Sequence, residues 1–127
     1  LSGGEKQRVH LARALAQVLG NGPYGRFLFL DEPTNNLDLA HQFKILEIAA
    51  QLRSEGIGIL MILHDLNLAM QYADEVVVLD AGRCVTSGAA GEVLLSPEIE
   101  SVFQVDVQPV YENPEERPYL VVRKQAP

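Results

Sequence analysis

Two adjacent carboxylates, Asp31 and Glu32, follow the apolar tetrad Phe27-Leu28-Phe29-Leu30. Such a continuous apolar run suits a buried strand, and open α/β sheets bind ligands at the carboxyl ends of their strands. The two acids therefore sit where a substrate would. Neighbouring strand residues point to opposite faces, so one acid can face a metal ion and the other a nucleophile. The plain alternative is a strand-to-loop transition with two solvated acids. A second segment, Leu1-Ser2-Gly3-Gly4-Glu5, opens a helix expected to run to about Leu19. Ser2 and Glu5 have capping-box spacing, which alone explains them. The two glycines go further, because they let a ligand approach free N–H groups at the positive helix end. A third segment, Ile62-Leu63-His64-Asp65, ends another apolar run. Its histidine is either structural or a ligand contact, and Asp65 is placed to cap a helix over Leu66–Tyr72.

These groups need a scaffold. The runs Phe27–Leu30, Ile57–Leu63 and Val76–Leu79 are predicted to be strands buried on both faces of a parallel sheet. Between them, Leu39, Phe43, Leu46 and Ala50 recur at helical spacing as one apolar stripe, as do Leu11, Leu15 and Val18 upstream. Strand–helix alternation predicts an α/β sheet with crossover helices. Gly20-Asn21-Gly22-Pro23 breaks the first helix and Ser54-Glu55-Gly56 ends the second. Asp80-Ala81-Gly82-Arg83 reads as a tight turn into a short strand at Cys84–Thr86. A last helix is expected near Pro97–Phe103. Beyond it, Val105, Val107 and Tyr111 on one side of Pro114 and Tyr119–Val122 on the other suggest a small hairpin.

Composition narrows the function. The 127 residues, 47% hydrophobic, suffice for one modest domain or part of one. A formal net charge of −7 disfavours a general nucleic-acid surface. Cys84 is the single cysteine, so no internal disulfide can form. No run nears the roughly 18 apolar residues that read as a membrane span. The chain starts at Leu1 with no signal-peptide pattern, as expected of a cut within a longer protein.

The order Leu-Ser-Gly-Gly, an apolar strand ending in Asp-Glu, Leu-Asp, then an apolar strand ending in His resembles the ATP-binding-cassette ATPases. Leu1-Ser2-Gly3-Gly4-Glu5-Lys6-Gln7-Arg8-Val9 looks like their signature motif, Phe27–Glu32 like the Walker B strand, Pro33-Thr34-Asn35-Asn36-Leu37-Asp38 like the D-loop and His64 like the switch histidine. The resemblance runs from Leu1 to about Gly88. Glu5 stands where many members carry Gln, and Asn35-Asn36 where many carry Ser-Ala. The resemblance implies a P-loop NTPase-like α/β domain with a parallel sheet, represented by its C-terminal half. Residues 1–90 would be the ATPase core and 91–127 a helix and short-strand appendage of the same domain.

It also implies roles. Asp31 would hold Mg2+ through water, Glu32 would position and polarise the attacking water, and His64 would contact the γ-phosphate. Ser2, Gly3, Gly4 and Glu5 would grip ATP held mainly by the other subunit of a homodimer, and Asp38 would link the two sites. A phosphate-binding G-x-x-x-x-G-K-[ST] loop is not in this sequence: Lys6, Lys44 and Lys124 follow Glu5, Phe43 and Arg123. The chain alone is therefore expected to bind ATP weakly or not at all, and surface covered by the remaining half is expected to be exposed.

His64-Asp65-Leu66-Asn67-Leu68-Ala69 and Leu37-Asp38-Leu39-Ala40-His41-Gln42 are similar to the ATPases of bacterial heme, ferric-siderophore and vitamin B12 importers, and within that group Asp38-Leu39-Ala40-His41-Gln42 is most similar to the heme importers. Val102-Phe103-Gln104-Val105-Asp106-Val107 and Pro118-Tyr119-Leu120-Val121 resemble their tail. His41, early in a helix, is read as a structural residue rather than a heme ligand. The implied partners are transmembrane permease subunits and, indirectly, a periplasmic substrate-binding protein, with no nucleic acid. The implied location is peripheral, on the cytoplasmic face of the bacterial inner membrane. The alternative is a soluble cassette ATPase of DNA repair or translation; such relatives usually carry coiled-coil insertions or tandem cassettes, which are not seen here.

Overall fold

The computed structural model describes residues 26–126. The expected helix through Leu11, Leu15 and Val18, and its break at Gly20–Pro23, lie outside them. The chain divides into two compact units at His64 and Asp65.

In the first unit, β1 (Phe27–Asp31) and β2 (Gly58–Ile62) flank the helix α1 (Leu39–Ser54). The strands pair in parallel from Phe27 opposite Gly58 to Asp31 opposite Ile62. Asp38 caps α1 by accepting from the backbone N–H of His41 at 2.9 Å, satisfying an N–H that has no helical partner. At the other end Gly56 adopts φ +88. Ile57 N–H then reaches back to Leu52 C=O at 3.1 Å, and Gly56 N–H to Arg53 C=O at 3.0 Å. This is a Schellman closure, and it delivers the chain into β2 with Leu52 and Ile57 both in the core. That core joins Leu28 and Leu30 of β1 to Leu37, Ile45, Leu52 and Ile57.

Two expectations are corrected here. The strands are buried on one face only. Burial alternates along β1, and Phe27, Phe29, Leu60 and Ile62 are exposed, because α1 covers only the face that carries Leu28 and Leu30. The buried side of α1 is also rotated from the expected stripe. Ile45, Leu46, Ala49 and Leu52 are buried, whereas Leu39, Phe43 and Ala50 are exposed. Helical spacing fits more than one face of so apolar a helix, and contact with the sheet selects one of them.

In the second unit, Asp65 caps α2 (Leu66–Tyr72) as expected, accepting from Asn67 and Leu68 N–H at 2.8 and 3.2 Å. β3 (Glu75–Asp80) and β4 (Arg83–Ala89) form an antiparallel hairpin. Its two turn residues, Ala81 and Gly82, both have positive φ, the geometry of a two-residue turn that matches strand twist. The Val76–Leu79 run thus pairs with the strand after the expected turn; among the described residues it does not pair with β1 or β2, which corrects its expected place in the parallel sheet. A local hairpin closes over two residues and needs no crossover. A one-turn helix, α3 (Ala90–Leu94), was not foreseen. α4 (Pro97–Phe103) is as expected and begins with proline at its first turn. β5 (Val105–Val110) and β6 (Tyr119–Lys124) form the expected hairpin. The core here gathers Met70, Val78, Ala90, Val93, Leu94, Ile99 and Leu120.

Side-chain amides tie α2 to β6. Asn67 donates to Leu120 C=O at 2.9 Å and accepts from Leu120 N–H at 2.6 Å, so it acts as a strand partner. One turn on, Gln71 donates to Pro118 C=O at 2.9 Å. Arg117 donates to Met70 C=O at 2.9 Å, satisfying a carbonyl in the last turn of α2.

Candidate active site

The site stands at the carboxyl ends of β1 and β2. The parallel register continues one step past the strands, where Glu32 N–H donates to Ile62 C=O at 3.0 Å. Residue 32 thereby lies level with the segment just after β2, where His64 follows. His64 Nε2 is hydrogen-bonded to Glu32 Oε1, joining residues 32 positions apart. The Glu32 side chain is about one-third exposed and that of His64 about three-quarters. The pair is open to solvent and within reach of an incoming ligand.

Glu32 also departs from extended backbone. Its φ is +49, a region non-glycine residues rarely adopt and one that concentrates at functional sites. Strand alternation was expected to separate the jobs of Asp31 and Glu32. The structure separates them differently: β1 ends at Asp31, and the left-handed step at Glu32 redirects the chain. Asp31 is exposed, in phase with Phe27 and Phe29 along β1, whereas Glu32 turns to His64.

The loop to α1 supplies a second contact that the motif order did not reveal. Asn35 Nδ2 donates to Glu32 Oε2 at 3.3 Å, and Asn35 N–H donates to Glu32 C=O at 3.1 Å. The loop is pinned from α1, where Gln42 Nε2 donates to Thr34 C=O at 3.3 Å and to Leu37 C=O at 3.1 Å. The departure from Ser-Ala at residues 35 and 36 was the available signal. Asp38, two-thirds exposed, caps α1 and pairs with His41 Nδ1 at 2.7 Å. That pairing gives His41 a structural role. Ser2, Gly3, Gly4 and Glu5 lie outside the described residues.

Among the described residues no three His, Cys, Asp or Glu side chains cluster as metal ligands. Mg2+ keeps several waters and binds through one or two carboxylates plus substrate phosphates. A single exposed hard-oxygen donor, Asp31, at a strand end fits that demand. No helix among the described residues is long and apolar enough to cross a membrane.

The chain is 42% identical over 125 residues to the hemin import ATP-binding protein of Hahella chejuensis, covering 96% of this chain and 48% of that protein. It is 52% identical over 103 residues to the hemin import ATP-binding protein of Aliivibrio fischeri, covering 81% and 39%. The chain thus spans about half the length of the curated relatives it matches. No protein-family model matches it. Among solved structures it resembles a metal-chelate type ABC transporter in an inward-facing conformation. The TM-score is 0.76 at 24% identity, over 96% of this chain and 47% of that one, a likeness of fold. It also resembles a dimeric ATP-binding cassette bound to ADP and phosphate. There the TM-score is 0.59 at 32% identity, over 71% and 36%.

Proposed function

We propose, for a chain that belongs to the ATP-binding-cassette ATPases, that it carries the water-activating half of an ATP-hydrolysing site in a subunit that drives import of heme or a related iron chelate. The observation that carries this reading is the Glu32–His64 pair at the ends of two parallel strands. The motif order around it and the hemin-importer names of its relatives support it.

Glu32 holds and polarises the attacking water, accepting its proton as the water oxygen bonds to the γ-phosphorus and the bond from phosphorus to the β,γ-bridging oxygen breaks, with ADP as the leaving group. His64 leaves Glu32 Oε1 and donates to the γ-phosphate as negative charge builds there. Asp31 would hold Mg2+, and the ion would supply charge neutralisation on the phosphates. Ser2, Gly3, Gly4 and Glu5 grip a nucleotide held mainly by the opposite subunit, and Asp38 links the two sites of the homodimer. The phosphate-cradling loop comes from sequence outside this chain, so the isolated chain hydrolyses no ATP. Permease subunits in the bacterial inner membrane couple the cycle to transport, with the ATPase on the cytoplasmic face.

The test uses the full-length subunit assembled with its permease in vesicles. Heme uptake should require MgATP and stop in Glu32→Gln while nucleotide binding persists. MgATP-dependent uptake of a different substrate, with none of heme or an iron chelate, would sink the assignment of cargo.

A further inference from the structure

We infer that Asn35 is a positioning residue for Glu32: it holds Oε2, so that Oε1 is the oxygen passed between His64 and the attacking water. This rests on the reading of Glu32 given above.

The two oxygens of the Glu32 carboxylate have different partners. Oε1 is bonded to His64 and Oε2 accepts from Asn35 Nδ2 at 3.3 Å. A carboxylate held at one oxygen pivots about that contact; held at both, it keeps one plane. When His64 turns to the phosphate, Oε1 is freed and Oε2 is not. The side chain then keeps one tether, which restricts it to motion about Oε2 at the moment the water must be aligned, and alignment is a large part of phosphoryl-transfer catalysis.

Asn35 is itself held. Leu37 enters the core two residues on. Gln42 grips the carbonyls on either side of the Asn35-Asn36 pair, at Thr34 and Leu37. Asn36 takes φ +62, a conformation asparagine tolerates better than most residues. The loop therefore returns the Asn35 amide to the residue three positions before it. A serine at this position would be too short for the same direct bond.

The experiment is steady-state and single-turnover hydrolysis by the full-length subunit, with MgATP binding measured in parallel. Asn35→Ala should lower kcat at least about tenfold, as expected for one hydrogen bond to a charged group, with KM and MgATP affinity nearly unchanged. Asn35→Asp, of the same shape, should lose more, because a like charge replaces the donor beside Glu32. In Glu32→Gln, adding Asn35→Ala should not lower the residual single-turnover rate further, since the group it positions is gone. An equal fold loss in both backgrounds, or a raised KM with unchanged kcat, would overturn the inference. Should Asn35→Ala fail to fold, Asn35→Asp and its combination with Glu32→Gln decide by the same comparison. Loss of hydrolysis in Glu32→Gln with Asn35→Ala at full rate sinks the Asn35 inference alone. Full hydrolysis in Glu32→Gln sinks the reading of Glu32 and this inference with it.

Discussion

Glu32 and His64 meet because two parallel strands share a register in which Asp31 lies opposite Ile62. The contact depends on pairing, since nothing local in either segment brings a residue to another 32 positions away. In the full-length subunit, Glu32→Gln should reduce the hydrolysis rate at least about a hundredfold, the scale of a lost general base. MgATP binding should stay within a few-fold, as read by titration. His64→Ala should also reduce kcat, while its KM for MgATP changes less. A His64→Ala enzyme with unchanged kcat would remove His64 from the reaction.

Asp38 caps α1 through the His41 N–H. Asp38→Ala should destabilise the subunit by about 1 kcal/mol, the usual scale for a lost N-cap, seen as a lower urea midpoint. Asp38→Asn retains the capping acceptor and should recover most of that. Equal loss from both substitutions would mean that charge rather than the cap matters.

Asn67 exchanges two hydrogen bonds with the backbone of Leu120. Asn67→Ala leaves both backbone groups without that partner and should cost about 1–3 kcal/mol. Asn67→Asp keeps the acceptor for Leu120 N–H but sets a carboxylate against Leu120 C=O, and should be no better than alanine. Denaturant unfolding of the full-length variants would measure the difference.

Leu46 and Ile99 are among the most buried of the described residues, at 1% and 0% exposed. Leu46→Ala and Ile99→Ala should each cost about 2–5 kcal/mol. Unchanged melting for either would contradict the burial of that side chain.

The open face of β1 and β2 sets Phe29, 58% exposed, opposite Leu60, 63% exposed. An exposed apolar face on a strand pair favours association. The isolated 127-residue chain should self-associate with rising concentration in light scattering, and Phe29→Lys with Leu60→Glu should suppress this by replacing the apolar pair with opposite charges. A monomeric unsubstituted chain would refute the expectation.

The carboxylates and the histidine of the candidate site were legible in the sequence because they reside in short local patterns. An apolar strand followed by Asp31-Glu32, and another followed by His64, identify groups and strand ends at once. The caps at Asp65 and Gly56 and the turn at Ala81-Gly82 were legible for the same reason, since each is a property of a few consecutive residues. The buried side of α1 was not: Leu39, Phe43 and Ala50 keep helical spacing yet face outward, because which stripe is covered depends on the sheet beneath. Burial on one face of β1 likewise depends on neighbours that an apolar run does not specify. The Asn35 contact with Glu32 needed the turn, the Gln42 clamp and the left-handed step at Glu32 together. The sequence by itself determined which groups are present and near which strand ends they lie. Only the tertiary structure decided which of them touch, because register, the loop path and the covered face arise from contacts between segments distant in the chain.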